Sequence, residues 1–249
     1  MLSDYENVYH QIENEHWWHI SRRDMIINLI DWQELDINYK ILDIGCSSGR
    51  LIKDITNITN AKVYGIDSST SAIREGKKNG LDNIFLMNGE STTFDDNLFD
   101  IVIASDCLEH IKSDSKALIE WNRILKPNGK LIIFVPAWKS LWSNLDIASQ
   151  HFRRYSFSKL KLKLTKAGFK ISRVSFWNIL LFIPILIFRK IESLIMIKNS
   201  KKIQLSLPSK QMNDFFKKLL KFENNIIKKY NSPIGVSLFA ICVKETYEN

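Results

Sequence analysis

Ile41-Leu42-Asp43-Ile44-Gly45-Cys46-Ser47-Ser48-Gly49 reads as a short buried strand running into a loop of small residues. Val63-Tyr64-Gly65-Ile66-Asp67 reads as a second strand ending in a carboxylate. A tight loop at one strand tip and an acid at the next is how an open α/β sheet holds a nucleoside, with the acid on the ribose diol. Outward from this pair, strands at 84–87, 101–104 and 130–135 alternate with helices at 51–58, 70–79 and 113–125. Such alternation implies crossover connections and a mainly parallel sheet. Residues 5–35 read as a helix with Trp17, Trp18, Met25, Ile26, Leu29 and Ile30 as its apolar positions. Lys126-Pro127-Asn128-Gly129 is a turn by composition.

Past Pro136 the character changes. Residues 138–155 read as a long loop rich in Trp, His and Arg, followed by a helix at 158–167 and strands at 170–176 and 235–243. The 249 residues are 45% hydrophobic and 25% charged, ordinary for a soluble globular chain that buries one large core. Eleven Lys/Arg against three Asp/Glu lie between Arg189 and Asn231, so this segment carries the whole net charge of +8. A basic patch attracts nucleic acid, anionic lipid or phosphorylated substrates, or is simply a solvated face. Cys46, Cys107 and Cys242 form no CxxC pair, so neither a zinc framework nor disulfides are indicated and a reducing cytoplasm fits best. The polar, acidic start is not a signal peptide.

Asp43-x-Gly45-Cys46-Ser47-Ser48-Gly49, Asp67, Phe99-Asp100-Ile101-Val102, Leu108-Glu109-His110-Ile111 and Leu125-Lys126-Pro127-Asn128-Gly129 occur in that order. Together they resemble class I S-adenosylmethionine-dependent methyltransferases, strongly over residues 40–136. The resemblance implies a Rossmann-like seven-stranded, mostly parallel sheet with a final antiparallel strand and helices on both faces. It also implies three regions: an N-terminal helical cap (1–39), a cofactor-binding domain (40–177 with 233–249) and a helical insertion (178–232). Its cofactor would be S-adenosylmethionine, held by Asp43, Gly45, Cys46, Ser47, Gly49, Asp67, Ser68, Asn88, Gly89, Ser105 and Asp106. Asp67 would take the ribose hydroxyls and Asn88 the adenine amine. Ser47 stands where the family commonly has glycine.

Methyl transfer is an in-line displacement, and a hydroxyl acceptor must also lose its proton. His110, after the fourth strand, and His151, in His151-Phe152-Arg153-Arg154-Tyr155, are the catalytic candidates. Trp138, Arg153, Arg154 and Tyr155 are expected to contact the acceptor, since a Tyr and two Arg recognise phosphate or carboxylate. No metal is expected, although Asp106, Glu109 and His110 are similar to a metal-holding Glu…Glu-His cluster of some quinone-ring O-methyltransferases. His10, His16 and His19 have no partner pattern and read as helix-surface residues.

The run 176–188 is intensely apolar but is interrupted by Pro184 and too short to span a bilayer. It reads either as a buried cap over the acceptor pocket or as an interfacial helix on anionic membrane, on the inner face. The expected activity is O-methylation of a small-molecule, glycan or lipid-linked acceptor. A non-catalytic cofactor-binding scaffold and a nucleic-acid methyltransferase are the alternatives. No specific nucleic acid is expected, because Ser105-Asp106-Cys107-Leu108 is no Asn-Pro-Pro-Tyr-type motif.

Overall fold

Residues 40–44 alternate so little in polarity that both faces of the strand must be covered, and the computed structural model covers them. It describes residues 12–32, 38–195 and 207–245. Seven strands, β1 (Lys40–Ile44), β2 (Lys62–Asp67), β3 (Ile84–Leu86), β4 (Phe99–Ser105), β5 (Leu125–Pro136), β6 (Phe169–Trp177) and β7 (Ser237–Lys244), form one sheet in the order β3-β2-β1-β4-β5-β7-β6. β7 runs antiparallel to both β5 and β6, and the β1–β5 pairings are parallel. The strand order reverses direction between β1 and β4, where ligands bind at the carboxyl edge of open sheets.

The helices bounded among the described residues are α1 (Trp17–Leu29), α2 (Arg50–Thr56), α3 (Thr70–Lys78), α4 (Asp114–Ile124), α5 (Asn144–Ala148), α6 (Phe157–Lys166), α7 (Phe182–Ile195) and α8 (Lys210–Ile227). Successive strand residues point to opposite faces. Leu42, Val102, Leu131 and Ala240 pack with α4 and α6 around Trp121. Ile41, Ile101, Ile132 and Phe239 pack with α1, α2 and α8 around Trp177.

Three readings of the sequence need correction. The described N-terminal helix is Trp17–Leu29, shorter than 5–35, and residues 5–11 and 33–35 lie outside the described ones. Lys126–Gly129 does not interrupt the strand. It is absorbed into β5 as a bulge, with Phe99 facing Leu125, Ile101 facing Lys130, and Asn128 left-handed at φ 62°. The region 138–155 is not all loop but carries a 3-10 turn (Lys139–Leu141) and α5, whose Ser143–Asp146 capping box starts the helix.

The segment between β6 and β7 is tied down by buried polar groups. Glu223 accepts the backbone N–H groups of Asn178 (2.5 Å), Ile179 (3.0 Å) and Leu180 (3.0 Å), fixing α8 to the end of β6. Asn213 accepts from the Trp17 N–H (2.9 Å) and donates to the Glu15 carbonyl (2.7 Å), so α8 also holds the start of α1. No described helix is long and apolar enough to cross a membrane.

Candidate active site

The loop after β1 folds back on β2. The Gly45 and Cys46 N–H groups both donate to the Ile66 carbonyl (2.8 and 3.0 Å). Gly45 has φ 76°, and a Cβ there would meet the Cys107 side chain at 3.0 Å, so glycine serves both conformation and close approach. Ser47 takes φ 50° without glycine's freedom, a conformation costing on the order of 1 kcal/mol. Three contacts hold it. Its N–H donates to Asp67 Oδ2 (3.0 Å), its Oγ donates to Glu13 Oε2 (2.9 Å), and the neighbouring Ser48 hydroxyl donates to the other Glu13 oxygen.

Three carboxylates thus gather at this loop. Burial, then the charges of Asp67 and Glu13, push the Asp43 carboxyl up to about 7. Asp67 lies at the tip of β2 and accepts from the Ser69 N–H (2.8 Å) as well as from Ser47. Ser69, not Asp67, caps α3 through the Ala72 N–H.

Beside the loop opens a cavity of about 450 Å³. Its floor is the β1 loop with Ser105 and Asp106 at the tip of β4, and its wall is α1. Arg22 of α1 is buried, with its guanidinium 4.1 Å from the Trp177 ring centroid and 4.4 Å from that of Phe134. It pairs with Asp106 (3.1 Å) and donates to Ser237 Oγ (2.8 Å), joining α1, β4 and β7 at one point.

The opposite end is built from the 3-10 turn Leu108–His110 and the segment after α5. Glu109 is 0% exposed, and neither carboxylate oxygen has a hydrogen-bond partner. Burial, then Asp106, raises its pKa well above the carboxylate range. His151 sits with Nε2 3.9 Å from Glu109 Oε1, while its Nδ1 is 2.8 Å from Asp146 Oδ1. A carboxylate accepts, so Nδ1 carries the hydrogen, and in the neutral imidazole it is Nε2 that holds the lone pair. Arg154 clamps both oxygens of Asp146 (2.8 and 3.0 Å). Burial works to raise the Asp146 pKa, but the hydrogen bonds from His151 and Arg154 prevail and hold it below the usual range. The His110 ring lies edge-on to His151 at 4.5 Å and is kept neutral by burial and by His151, its pKa lowered to about 3.

Of the residues expected at the site, Asp43, Gly45, Cys46, Ser47, Ser105, Asp106, His110, His151 and Arg154 line this cavity. Gly49 starts α2 behind the loop at φ 80°. Asp67, Ser68, Asn88 and Gly89 lie outside the cavity, at the tips of β2 and β3. Asn88 Oδ1 accepts its own turn's Glu90 N–H (2.9 Å), and the Gly89 carbonyl accepts from Trp121 Nε1 (2.9 Å).

Trp138, Arg153 and Tyr155 depart from the expected acceptor contacts, because their polar atoms are used inside the fold. Trp138 Nε1 donates to the Gly235 carbonyl (2.8 Å) and its ring stacks on Phe176. Tyr155 is buried with its hydroxyl on Asp114 (2.9 Å), which also takes Arg153 (2.8 Å) and Lys163 (2.7 Å). His16 and His19 are not surface residues. Both line the cavity, His16 accepts from the Trp18 N–H, and burial lowers them to about 4 and about 3. His10 lies outside the described residues. Glu13 was missed because nothing local in the sequence signals a contact with a loop more than thirty residues on.

This sheet order, with its glycine loop and acid-tipped β2, is the fold of the class I S-adenosylmethionine-dependent methyltransferases, whose cofactor is S-adenosylmethionine. Residues 42–133 match the family model of the methyltransferase domain. The chain is 30% identical over 120 residues to the ubiquinone/menaquinone biosynthesis C-methyltransferase UbiE of Burkholderia multivorans, covering 45% of this chain and 49% of that protein. It thus spans about half the length of the curated relatives it matches. Among solved structures, a methyltransferase bound to the Trm112 activator of Haloferax volcanii aligns over 100% of both chains (TM-score 0.63, 14% identity). Phosphoethanolamine N-methyltransferase 2 of Haemonchus contortus, in complex with S-adenosylmethionine, aligns over 90% of this chain and 52% of its own (TM-score 0.58, 21% identity). At such identities the structural likeness speaks for the fold, and function rests on the site.

Proposed function

We propose that the chain transfers a methyl group from S-adenosylmethionine to an oxygen of a small-molecule, glycan or lipid-linked acceptor. The observation that carries this is the gathering of Glu13, Asp43 and Asp67 on the glycine loop, where burial first and then the charges of Asp67 and Glu13 raise Asp43 to about 7. A cationic ligand relieves that repulsion, and S-adenosylmethionine brings both an ammonium and a sulfonium. When bound, it supplies an electrophilic methyl group. Gly45–Ser47 and Asp43 would hold its amino-acid end and Asp67 its ribose. His151 Nε2, oriented through Nδ1 by Asp146, is the acceptor for the hydroxyl proton, and His110 stays neutral beside it.

The mouth of the cavity is edged by Ile185, Phe188 and Arg189 of α7. The outer face of the same helix exposes Ile183 (56%), Ile187 (53%) and Phe188 (62%). An exposed apolar helix that carries Arg189-Lys190 directly after its first two turns favours an acceptor presented by an anionic bilayer. C-methylation is the second reading, because UbiE carries that activity in its name.

The test is incubation with methyl-labelled S-adenosylmethionine and extracted bacterial lipids and glycans. Label in an ether or ester product, with equimolar S-adenosylhomocysteine, supports the reading. Label on carbon selects the second reading, and no cofactor turnover with any acceptor fraction defeats both. Flotation with anionic vesicles at low salt tests the bilayer, and protein left in the bottom fraction removes it.

A further inference from the structure

We propose that Glu109, His110 and His151 form a binding site for one divalent transition-metal cation at the acceptor end of the cavity. One ligand atom from each of the three lies within 4.8 Å of the others. The strongest sign of an absent partner is Glu109, wholly buried with both oxygens unbonded. Buried polar groups without a hydrogen bond are rare in folded proteins, and a bound ion is one way such a group is satisfied. The nearest ring nitrogen, His151 Nε2, stands 3.9 Å from Glu109 Oε1, too far for a hydrogen bond and suited to an atom between them.

The surroundings are those of a ligating histidine. His151 gives its outer Nδ1–H to Asp146, and Arg154 in turn fixes both Asp146 oxygens. Metal-bound imidazoles are oriented by such carboxylates, which set the tautomer with the lone pair facing inward. Two imidazoles and one carboxylate suit zinc or a neighbouring first-row metal rather than magnesium or calcium. Ligand bonds of about 2.1 Å require the three groups to draw together by roughly an ångström from their present spacing. All three residues line the cavity, so the remaining coordination positions face the space an acceptor oxygen would enter. Asp106, which the sequence sets beside Glu109, belongs instead to Arg22 at 3.1 Å.

The use of this cation, holding an acceptor oxygen in line for methylation, rests on the proposed methyltransferase reading, whereas its binding does not. Were the cation bound, His110 and His151 would be ligands rather than proton acceptors, and the cation would lower the pKa of the acceptor hydroxyl so that its proton leaves to solvent water instead of to His151.

The experiment is titration of chelator-treated full-length protein with zinc by calorimetry, and with cobalt(II) by visible absorption. The expected result is one site per chain, with a cobalt spectrum free of sulfur charge transfer, which sets aside Cys46 and Cys107. Glu109→Gln and His151→Ala should each weaken zinc binding at least tenfold, and Asp146→Asn by about ten- to a hundredfold through loss of orientation. Glu109→Gln puts a neutral isostere where the buried carboxyl has no partner and should fold, as thermal unfolding will verify. No stoichiometric zinc binding, or equal binding by wild type and both ligand variants, overturns the proposal. Cofactor binding without zinc binding defeats the cation site alone, and zinc binding without cofactor binding defeats the methyltransferase reading alone.

Discussion

The two ends of the cavity are built in different ways. The loop end comes from the tips of adjacent parallel strands, where the pairing of β1 with β2 brings Asp43 and Gly45–Ser47 against Asp67, which lies just outside the cavity. The acceptor end is assembled from α1, the turn after β4 and the segment after α5, and bonds such as Arg22–Asp106 and Arg22–Ser237 link residues 84 and 215 positions apart. The first end inherits its geometry from the sheet. The second depends on single buried polar groups, so substitutions there should separate chemistry from stability.

The largest effect is expected from His151→Ala, which removes the ring from between Asp146 and Glu109. Turnover should fall roughly a hundred- to ten-thousandfold, the usual worth of a positioned acid–base group, while cofactor affinity stays near wild type. Parallel turnover and calorimetry check this, and equal losses in both would merge the two ends into one unit. Next comes Arg22→Ala. It strips a buried cation from between Trp177 and Phe134 and leaves Asp106 unpaired, which should cost about 3 kcal/mol in chemical denaturation. Asp106 is about one-third exposed, which keeps the cost at the low end of the range for broken buried pairs.

The loop end should announce itself through pH. Asp43, raised to about 7, holds a proton in the folded chain that the unfolded chain has released. Its contribution to stability is therefore present below the ordinary carboxylate pKa and is lost as pH rises through about 7. A cationic ligand favours the ionised form, so cofactor affinity should rise with pH, by at most about tenfold per unit below 7, and level off above it. Calorimetry in buffers of different ionisation enthalpy should detect proton release at pH 6. Proton uptake there would break the assignment. The smallest effect is expected from Tyr155→Phe, about 1–2 kcal/mol of stability through the lost hydrogen bond to Asp114, with turnover unchanged.

The legibility of the chain follows the same division. The alternation of strands and helices and the β1 loop could be read directly, because hydrophobic period and turn composition are local properties. The five residues His151–Tyr155 could not be sorted. His151 and Arg154 turn to Asp146 and the cavity, while Arg153 and Tyr155 turn to Asp114 in the core. Nothing within the pentapeptide says where those two aspartates lie. Glu13 was invisible for the same reason, since its partners Ser47 and Ser48 meet it only after the chain folds. Lys126–Gly129 carried the right local signal, a left-handed Asn128, but the pairing of β4 with β5 turned it into a bulge.

The most direct measurement is calorimetric titration of the full chain with S-adenosylmethionine, beside the Asp67→Ala variant. The loop and its three carboxylates require one site per chain in the wild type. Asp67→Ala should bind about ten- to a hundredfold more weakly, matching the loss of charge-assisted hydrogen bonds. A wild-type protein that shows no binding at high micromolar cofactor, or a variant that binds as well as wild type, would contradict the assignment of this loop.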